Sequence, residues 1–291
     1  MKKLTALTLA AAMTLSLTAC GGGETQTAQT PPAAPETQQP SAPAQEQVEL
    51  VVFAAASLTE TLTQIAEDYK AVAPNVTLVF NFDSSGTLKT QIQEGAVCDV
   101  FLSAAPKQMD QLDIEADPQV NTEGLDFVLQ GSRVDLLENK VALAVPERNP
   151  AGLQSYDDLA QRLENGDVLM AVGNADVPVG QYTQKIFAYY GLEEDALNAA
   201  GVLTYGSNVK EVTSQISEGA VNCGIIYATD AFSAGLTVAD TATGDMCGRV
   251  IYPAAVLHTS AHGEEAQAFL DYLTGEEAGA VFSSVGFSPL S

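Results

Sequence analysis

Two heptapeptides constrain this chain more than any other feature. Gln91-Ile92-Gln93-Glu94-Gly95-Ala96-Val97 and Gln215-Ile216-Ser217-Glu218-Gly219-Ala220-Val221 agree at six of seven positions and lie 124 residues apart. Each follows a strand, loop and helix pattern and precedes a short apolar run. A match of two helix ends could arise by chance, but the shared surroundings point to two lobes of like design.

The rest of the pattern fits two such lobes. Val48 to Phe53 is a continuous apolar run of the kind buried in a parallel sheet, and Leu58, Leu62, Ile65, Ala66 and Tyr69 then mark one helix face ending before Pro74. Val76 to Phe82 reads as a strand, a helix carries Leu88, Ile92 and Ala96, and Val100 to Ser103 is a third strand. Further strands are expected at Val141–Val145, Val168–Val172, Val202–Tyr205, Cys223–Tyr227 and Val250–Leu257. Helices are expected over Tyr156–Asn165, Gln181–Tyr190, the stretch with Val209, Val212 and Ile216, Glu264–Leu273 and Glu276–Val281. Alternation of this kind gives an α/β fold, each lobe a mostly parallel sheet flanked by helices. Residues 48–137 with 258–291 are expected to form lobe I and residues 138–257 lobe II, with crossover strands near Val141–Val145 and Val250–Leu257.

The first residues stand apart. Lys2 and Lys3 precede an apolar run from Leu4 to Leu17 that ends in Leu17-Thr18-Ala19-Cys20, the layout of a signal peptide over residues 1–19. Leu-Thr-Ala-Cys resembles the lipobox of bacterial lipoproteins, which makes Cys20 the expected lipid anchor. Residues 20–47 are nearly devoid of large apolar side chains and are expected to be a disordered tether with a reach of roughly 30 Å. No later stretch has the roughly 20 unbroken apolar residues of a membrane span. The expected location is the cell membrane, lipid-anchored on the extracytoplasmic side, and the expected state is a monomer.

Charge and cysteine content exclude several partners. The chain holds 12 Lys and Arg against 37 Asp and Glu, and loss of Lys2 and Lys3 leaves a formal charge of about −27. Such a surface repels nucleic acid and anionic lipid headgroups. Cys98, Cys223 and Cys247 lie outside any CxxC or Cys/His cluster, and with only His258 and His262 present no zinc site and no cofactor is expected. In an oxidising compartment one pair is possible, Cys223 with Cys247, leaving Cys98 as a free thiol.

Chemistry gathers at the turns from strand to helix. In Val51 to Leu62, three alanines lead into Ser57 and directly into a helix, and Ser57 with Glu60 reads as a capping box. Ser57 is therefore either only a cap or a donor at a helix start that faces an anion. The 124-residue offset pairs Ser85 with Val209, and Val177-Pro178-Val179-Gly180 is the counterpart of the Ser57 turn. Ligands of open α/β sheets bind outside the carboxyl ends of the strands, so two facing lobes would bring four helix starts to one cleft. These loops contain Asp83 and Asp176 but no Lys, Arg or His, and offer an oxyanion neutral donors only. Ser84 competes with Ser85 for the cap, Tyr227 could be a core aromatic, and Asp99 and Asp230 read as turn or cap residues.

FAAASLTETL, FDSSGTLKTQIQEGAVCDVFLSA, VPVGQY and GIIYATDA, in that order, resemble the motifs of the molybdate-binding proteins that serve ABC importers, within the type II periplasmic-binding-protein fold. The resemblance implies two lobes with the ligand cleft between them. It also implies capture of molybdate, and of tungstate, for an ABC permease. The implied contacts are Ser57 and Ser85 through hydroxyl and backbone N–H, Val179 and Val209 through backbone N–H, and Tyr227 through its phenol, with no metal other than that of the bound anion. Three departures stand out: Val179 where alanine is familiar, Gly86 in place of a common serine, and Cys98 in a segment often written with Pro and Ala. The first is expected to keep the N–H while crowding the pocket, the other two to leave the site intact. Alternatives are a carrier of another tetrahedral oxyanion such as sulfate, and an exported serine hydrolase using Ser57 or Ser85. The hydrolase lacks a Gly-x-Ser-x-Gly elbow and a histidine among the cleft motifs.

Overall fold

The chain builds two sheets whose strands follow one another in matching order. The computed structural model describes residues 46–290, all within one compact unit. The signal peptide, Cys20 and all but the last two residues of the expected tether lie outside the described residues.

The strands are β1 (Val48–Ala55), β2 (Val76–Asp83), β3 (Val100–Leu102), β4 (Val134–Asn139), β5 (Val141–Val145), β6 (Met170–Gly173), β7 (Leu203–Gly206), β8 (Cys223–Tyr227), β9 (Thr237–Thr241), β10 (Val250–Val256) and β11 (Ser288–Pro289). The helices are α1 (Thr59–Val72), α2 (Ser85–Gln93), α3 (Pro106–Asp110), α4 (Tyr156–Asn165), α5 (Pro178–Tyr190), α6 (Glu194–Ala199), α7 (Val209–Ser217), α8 (Ala228–Ser233), α9 (Gly244–Cys247), α10 (Gly263–Leu273) and α11 (Glu276–Ser284).

One sheet runs β11-β4-β10-β3-β1-β2 and the other β7-β6-β8-β5-β9. In each, a central strand is flanked by two parallel neighbours: β1 by β2 and β3, β6 by β7 and β8. Antiparallel pairs β3/β10 and β10/β4 answer β8/β5 and β5/β9. The antiparallel strands include those on which the chain passes between sheets, so each sheet is parallel around its β1 or β6 strand and antiparallel beyond it. The heptapeptide echo belongs to this symmetry. Helices α2 and α7 start at Ser85 and Val209, end at Gln93 and Ser217, and are each followed by a left-handed glycine, Gly95 (φ 91°) and Gly219 (φ 68°), the usual stop for a helix.

Some expectations need correction. Val250–Leu257 is expected as a crossover strand at the end of lobe II, but the strand, Val250–Val256, lies wholly in the first sheet between β3 and β4. An unbroken apolar strand reads alike whichever sheet buries it, so its neighbours could not be told from its composition. The two passages between sheets fall at Lys140, between β4 and β5, and at Gly248-Arg249, before β10, directly ahead of the two expected crossover strands. There Arg249 holds Glu138 at 2.6 and 3.1 Å, one pass tied to the other. Strand β4 was missed because Asp135 and Glu138 interrupt its apolar run. Helix α5 begins at Pro178 rather than Gln181, since proline suits the first turn, where no N–H is needed. Ala96 lies beyond the end of α2, exposed, after Gly95.

A main core joins both sheets with their helices, and a smaller cluster, centred on Phe53, Leu88, Ile92, Phe101 and Met109, fills the space between α2, α3 and the first sheet. Both support the strand ends from which the site is made.

Candidate functional site

Register places the site. Ala55 stands opposite Asp83 at the ends of β1 and β2, so Ser57 and Ser85 follow side by side, each two residues on. In the other sheet Gly173 stands opposite Gly206, and the chain turns from there into α5 and α7. Ser57, Ser85, Val179, Val209 and Tyr227 all line one small cavity, together with Ala55, Ala56, Asp83, Ser84, Ala104, Val177 and Pro178. The five are buried, none more than 5% exposed. The free space is about 10 Å³, on the scale of one water. Ser85 and Val209 are the first residues of α2 and α7, and Val179 is the second of α5, positions whose N–H groups meet no carbonyl inside their own helix.

The Ser85 and Tyr227 hydroxyls keep their protons for a further partner. Ser84 caps α2, accepting the Thr87 N–H at 3.1 Å, which resolves the competition between the two serines. Ser85 Oγ accepts the Ala104 N–H at 2.9 Å and keeps its own proton for another partner. Ser57 Oγ lies 3.0 Å from the Tyr252 hydroxyl. The Tyr227 hydroxyl is buried and closes no hydrogen bond of good geometry among the described residues, with the Tyr252 hydroxyl beside it as its one weak partner, which leaves it capacity for a ligand. Burial, then the neighbouring Tyr252 and Tyr182, push its pKa well above the ordinary value, so it stays protonated.

The expected capping box is absent. Ala56–Leu58 forms a 3-10 turn and α1 starts at Thr59 without a side-chain cap, because the Ser57 hydroxyl is drawn inward to Tyr252. Glu60 instead receives Lys210 Nζ from α7 at 2.8 Å. A similar arrangement occurs at α7, where Asn208 accepts the Glu211 N–H at 3.1 Å and the Glu211 carboxylate takes the Ser207 N–H at 2.7 Å.

Asp83 brings a carboxylate to the lining of the cavity. Among the described residues lining it there is no Lys, Arg or His. Asp83 Oδ1 is occupied, accepting the Ser84 N–H at 2.7 Å and Asn208 Nδ2 at 3.2 Å, while Asp176 is not part of the lining. Asp99 is structural, accepting the Val51 N–H and the Ser260 hydroxyl. Asp230 is a fully buried carboxylate 3.0 Å from Lys210. Burial raises its pKa to about 6, with Lys210 opposing the shift. Asp230, read from the sequence as a turn or cap residue, lies in the first turn of α8; its pairing with Lys210 and the bridge from Lys210 to Glu60, which spans 150 positions, were not evident there.

Contacts cross between the sheets beside the cavity: Lys210 to Glu60, Asn208 to Asp83, and Gly86 against Asp176. A Cβ at Gly86 would overlap the Asp176 carbonyl oxygen. Glycine there is thus a requirement of close approach rather than a neutral replacement for serine. His258 packs against the Phe127 ring, outside the lining. Cys98, Cys223 and Cys247 are all free and buried, so the candidate pair Cys223–Cys247 is not bonded. Burial pushes the Cys223 thiol up to about 12. No group of three or more metal-ligating side chains occurs among the described residues, and no helix among them is long and apolar enough to cross a membrane.

Two sheets of matching order, with a small donor-lined cavity at the carboxyl ends of their parallel strands, define a two-lobed solute-binding protein of the type II periplasmic fold. The chain belongs to the bacterial extracellular solute-binding proteins, whose family model matches residues 50–288. The molybdate-binding protein ModA of Escherichia coli is 33% identical over 245 residues, covering 82% of this chain and 88% of the relative. ModA of Haemophilus influenzae is 30% identical over 245 residues, covering 82% and 89%. Among solved structures, the periplasmic molybdate-binding protein of Azotobacter vinelandii has the same fold, with a TM-score of 0.69 at 23% identity over 82% of this chain and 98% of that one.

Proposed function

We propose that this chain captures molybdate, and tungstate with it, outside the cytoplasm and delivers the anion to an ABC permease. In this reading it works as a monomer held at the membrane by a lipid on Cys20 after removal of residues 1–19, and needs no cofactor. The observation that carries the reading is the polarity of the cavity. Ser57, Ser85 and Tyr227 are positioned to offer hydroxyl protons there, and the helix starts at Ser85, Val179 and Val209 offer N–H groups, without a cation among the lining residues. Neutral, pre-aimed donors replace the hydration of a small, fully ionised tetrahedral anion, and the cost of orienting them is met during folding. The relatives named as molybdate-binding, at 30% and 33% identity, favour molybdate among such anions. Discrimination against sulfate then rests on cavity size, because charge and shape are shared.

Closure over the anion would proceed about the passes at Lys140 and at Gly248-Arg249, bringing together the contacts between Lys210 and Glu60 and between Gly86 and Asp176. Exclusion of water strengthens every hydrogen bond made inside. Titration calorimetry of the full chain in detergent with molybdate, tungstate and sulfate tests the assignment. Tight one-to-one binding of the first two is expected; tight sulfate binding with molybdate silent would refute it.

A further inference from the structure

No cation lines the cavity, yet the cations of this acidic chain gather beside it. Lys89, Lys107 and Lys185 make no ion pair among the described residues, and all three line grooves between the two sheets. One groove, of about 450 Å³, has Lys89 and Lys107 on one side and Asp176 and Gln181 on the other. A second, of about 540 Å³, is lined by Lys107, Lys185 and Arg249. Lys107 and Gln181 belong to both, so the grooves run into one another. They adjoin the cavity residue by residue. Ser85, Ala104 and Val177 line the cavity, and their chain neighbours Gly86, Ala105 and Asp176 line the grooves. The close approach of Gly86 to the Asp176 carbonyl stands between the cavity and the first groove, so parting of the lobes there turns that groove into the mouth of the cavity.

A formal charge of −25 opposes the approach of any anion from a distance. Near the surface the balance is local, because charges are screened beyond about 8 Å at physiological ionic strength, and a groove with low-dielectric walls concentrates the field of the charges that line it. Arg249 is committed to Glu138, and Asp110 of the second groove to Arg133, which leaves the lysines to set the field. Lys185 is held in place, its Nζ 5.0 Å from the Tyr182 ring centroid and 3.4 Å from the Cys247 carbonyl oxygen. In the first groove Asp176 and Glu94 oppose Lys89 and Lys107. We propose that Lys89 and Lys107, backed by Lys185, form an anion-receiving vestibule that sets the rate at which a doubly charged oxyanion is captured, while the neutral donors of the cavity set the rate of its release. The inference rests on the oxyanion reading given above. It divides two tasks between two sets of residues: charge outside the site governs encounter, and aimed hydrogen bonds inside it govern residence.

The test is rapid mixing of the full chain in detergent with radiolabelled molybdate, followed by a chase with unlabelled anion, so that capture and release are timed separately. It compares the wild type, the double variant Lys89→Gln/Lys107→Gln, Asp176→Asn and Arg148→Gln at ionic strengths of about 10 mM and about 0.5 M. Arg148 is the control for net charge: it is exposed, makes no ion pair among the described residues, and lies beyond Val145, at the end of β5 away from the Val141–Tyr227 pairing. In the double variant, capture at the low ionic strength is expected to slow about three- to tenfold relative to the wild type, shrinking to less than about twofold at the high one, with release within about twofold throughout. Asp176→Asn is expected to speed capture about two- to threefold at low ionic strength, an opposite sign that damage to the fold would not produce. Arg148→Gln is expected to change capture by less than about 1.5-fold, since a distant charge is screened. Capture by the double variant at the wild-type rate, a loss that appears in release or persists at high ionic strength, or an equal slowing in Arg148→Gln would overturn the vestibule while leaving molybdate capture standing. A wild type that retains no molybdate would overturn both.

Discussion

Replacing Tyr227 by phenylalanine removes one oxygen and nothing else, and its two consequences have opposite signs. Tyr227 is 1% exposed, and its hydroxyl closes no hydrogen bond of good geometry within the described protein, with the Tyr252 hydroxyl beside it. A buried hydroxyl left unpaired costs about 1–3 kcal/mol, so its loss leaves the ligand-free protein as stable as before, or more stable by up to about that amount. The ring itself stays in place, packed edge-on against Tyr252 and Tyr182 at centroid distances of 5.6 and 6.4 Å. Binding responds the other way. A hydrogen bond to a charged partner contributes about 1.5–3 kcal/mol, which corresponds to a loss of roughly 10- to 150-fold in affinity for molybdate. Urea unfolding of the ligand-free protein and calorimetric titration measure the two separately. A Tyr227→Phe variant that binds molybdate as the wild type does, or whose ligand-free form is less stable by more than about 1 kcal/mol, would show that the hydroxyl serves the fold and not the anion.

Three other outcomes follow from the same geometry. Gly86→Ala is expected to hold the lobes apart through its overlap with the Asp176 carbonyl, seen as a larger radius of gyration by small-angle scattering of the ligand-bound protein and a molybdate affinity at least about tenfold lower; an unchanged radius would show that closure does not bring these backbones together. The folded-state pKa of Asp230, about 6, stands above its ordinary 3.8, so between those values the native state holds the proton that the unfolded chain has lost. Its contribution to stability therefore falls as pH rises from about 4 to about 6 and is flat above; comparing unfolding of the wild type with Asp230→Asn across that window checks the sign. With all three described cysteines free, alkylation after denaturation without reductant should label Cys223 and Cys247 both, and protection of the pair would reveal a disulfide.

What the sequence disclosed about the site came from local patterns. Ser57, Ser85, Val179 and Val209 each follow a strand within a few residues and stand at or near a helix start, so the echo at 124 residues and the strand-to-helix turns were enough to bring them together. Tyr227 required the resemblance, because an aromatic at a strand end usually belongs to the core. The contact behind Ser57 was not legible, since Ser57 and Tyr252 are separated by 195 positions and meet only in the folded sheet. The capping box failed for a related reason. Ser-x-x-Glu is a local signal, and it lost to a buried tyrosine hydroxyl and to Lys210, neither of them nearby in the chain. The placement of Val250–Val256 likewise depended on which neighbours it pairs with, and an all-apolar strand carries no mark of them.

The central claim is that one cavity between the lobes holds the anion by the donors named. A crystal of the protein grown with molybdate, measured at the molybdenum absorption edge, locates the metal directly by its anomalous signal. The account predicts a single peak in the cavity, ringed by Ser57, Ser85, Val179, Val209 and Tyr227, with anion oxygens within hydrogen-bond distance of their hydroxyl and N–H groups. A peak elsewhere on the molecule, or none at saturating molybdate, would contradict it.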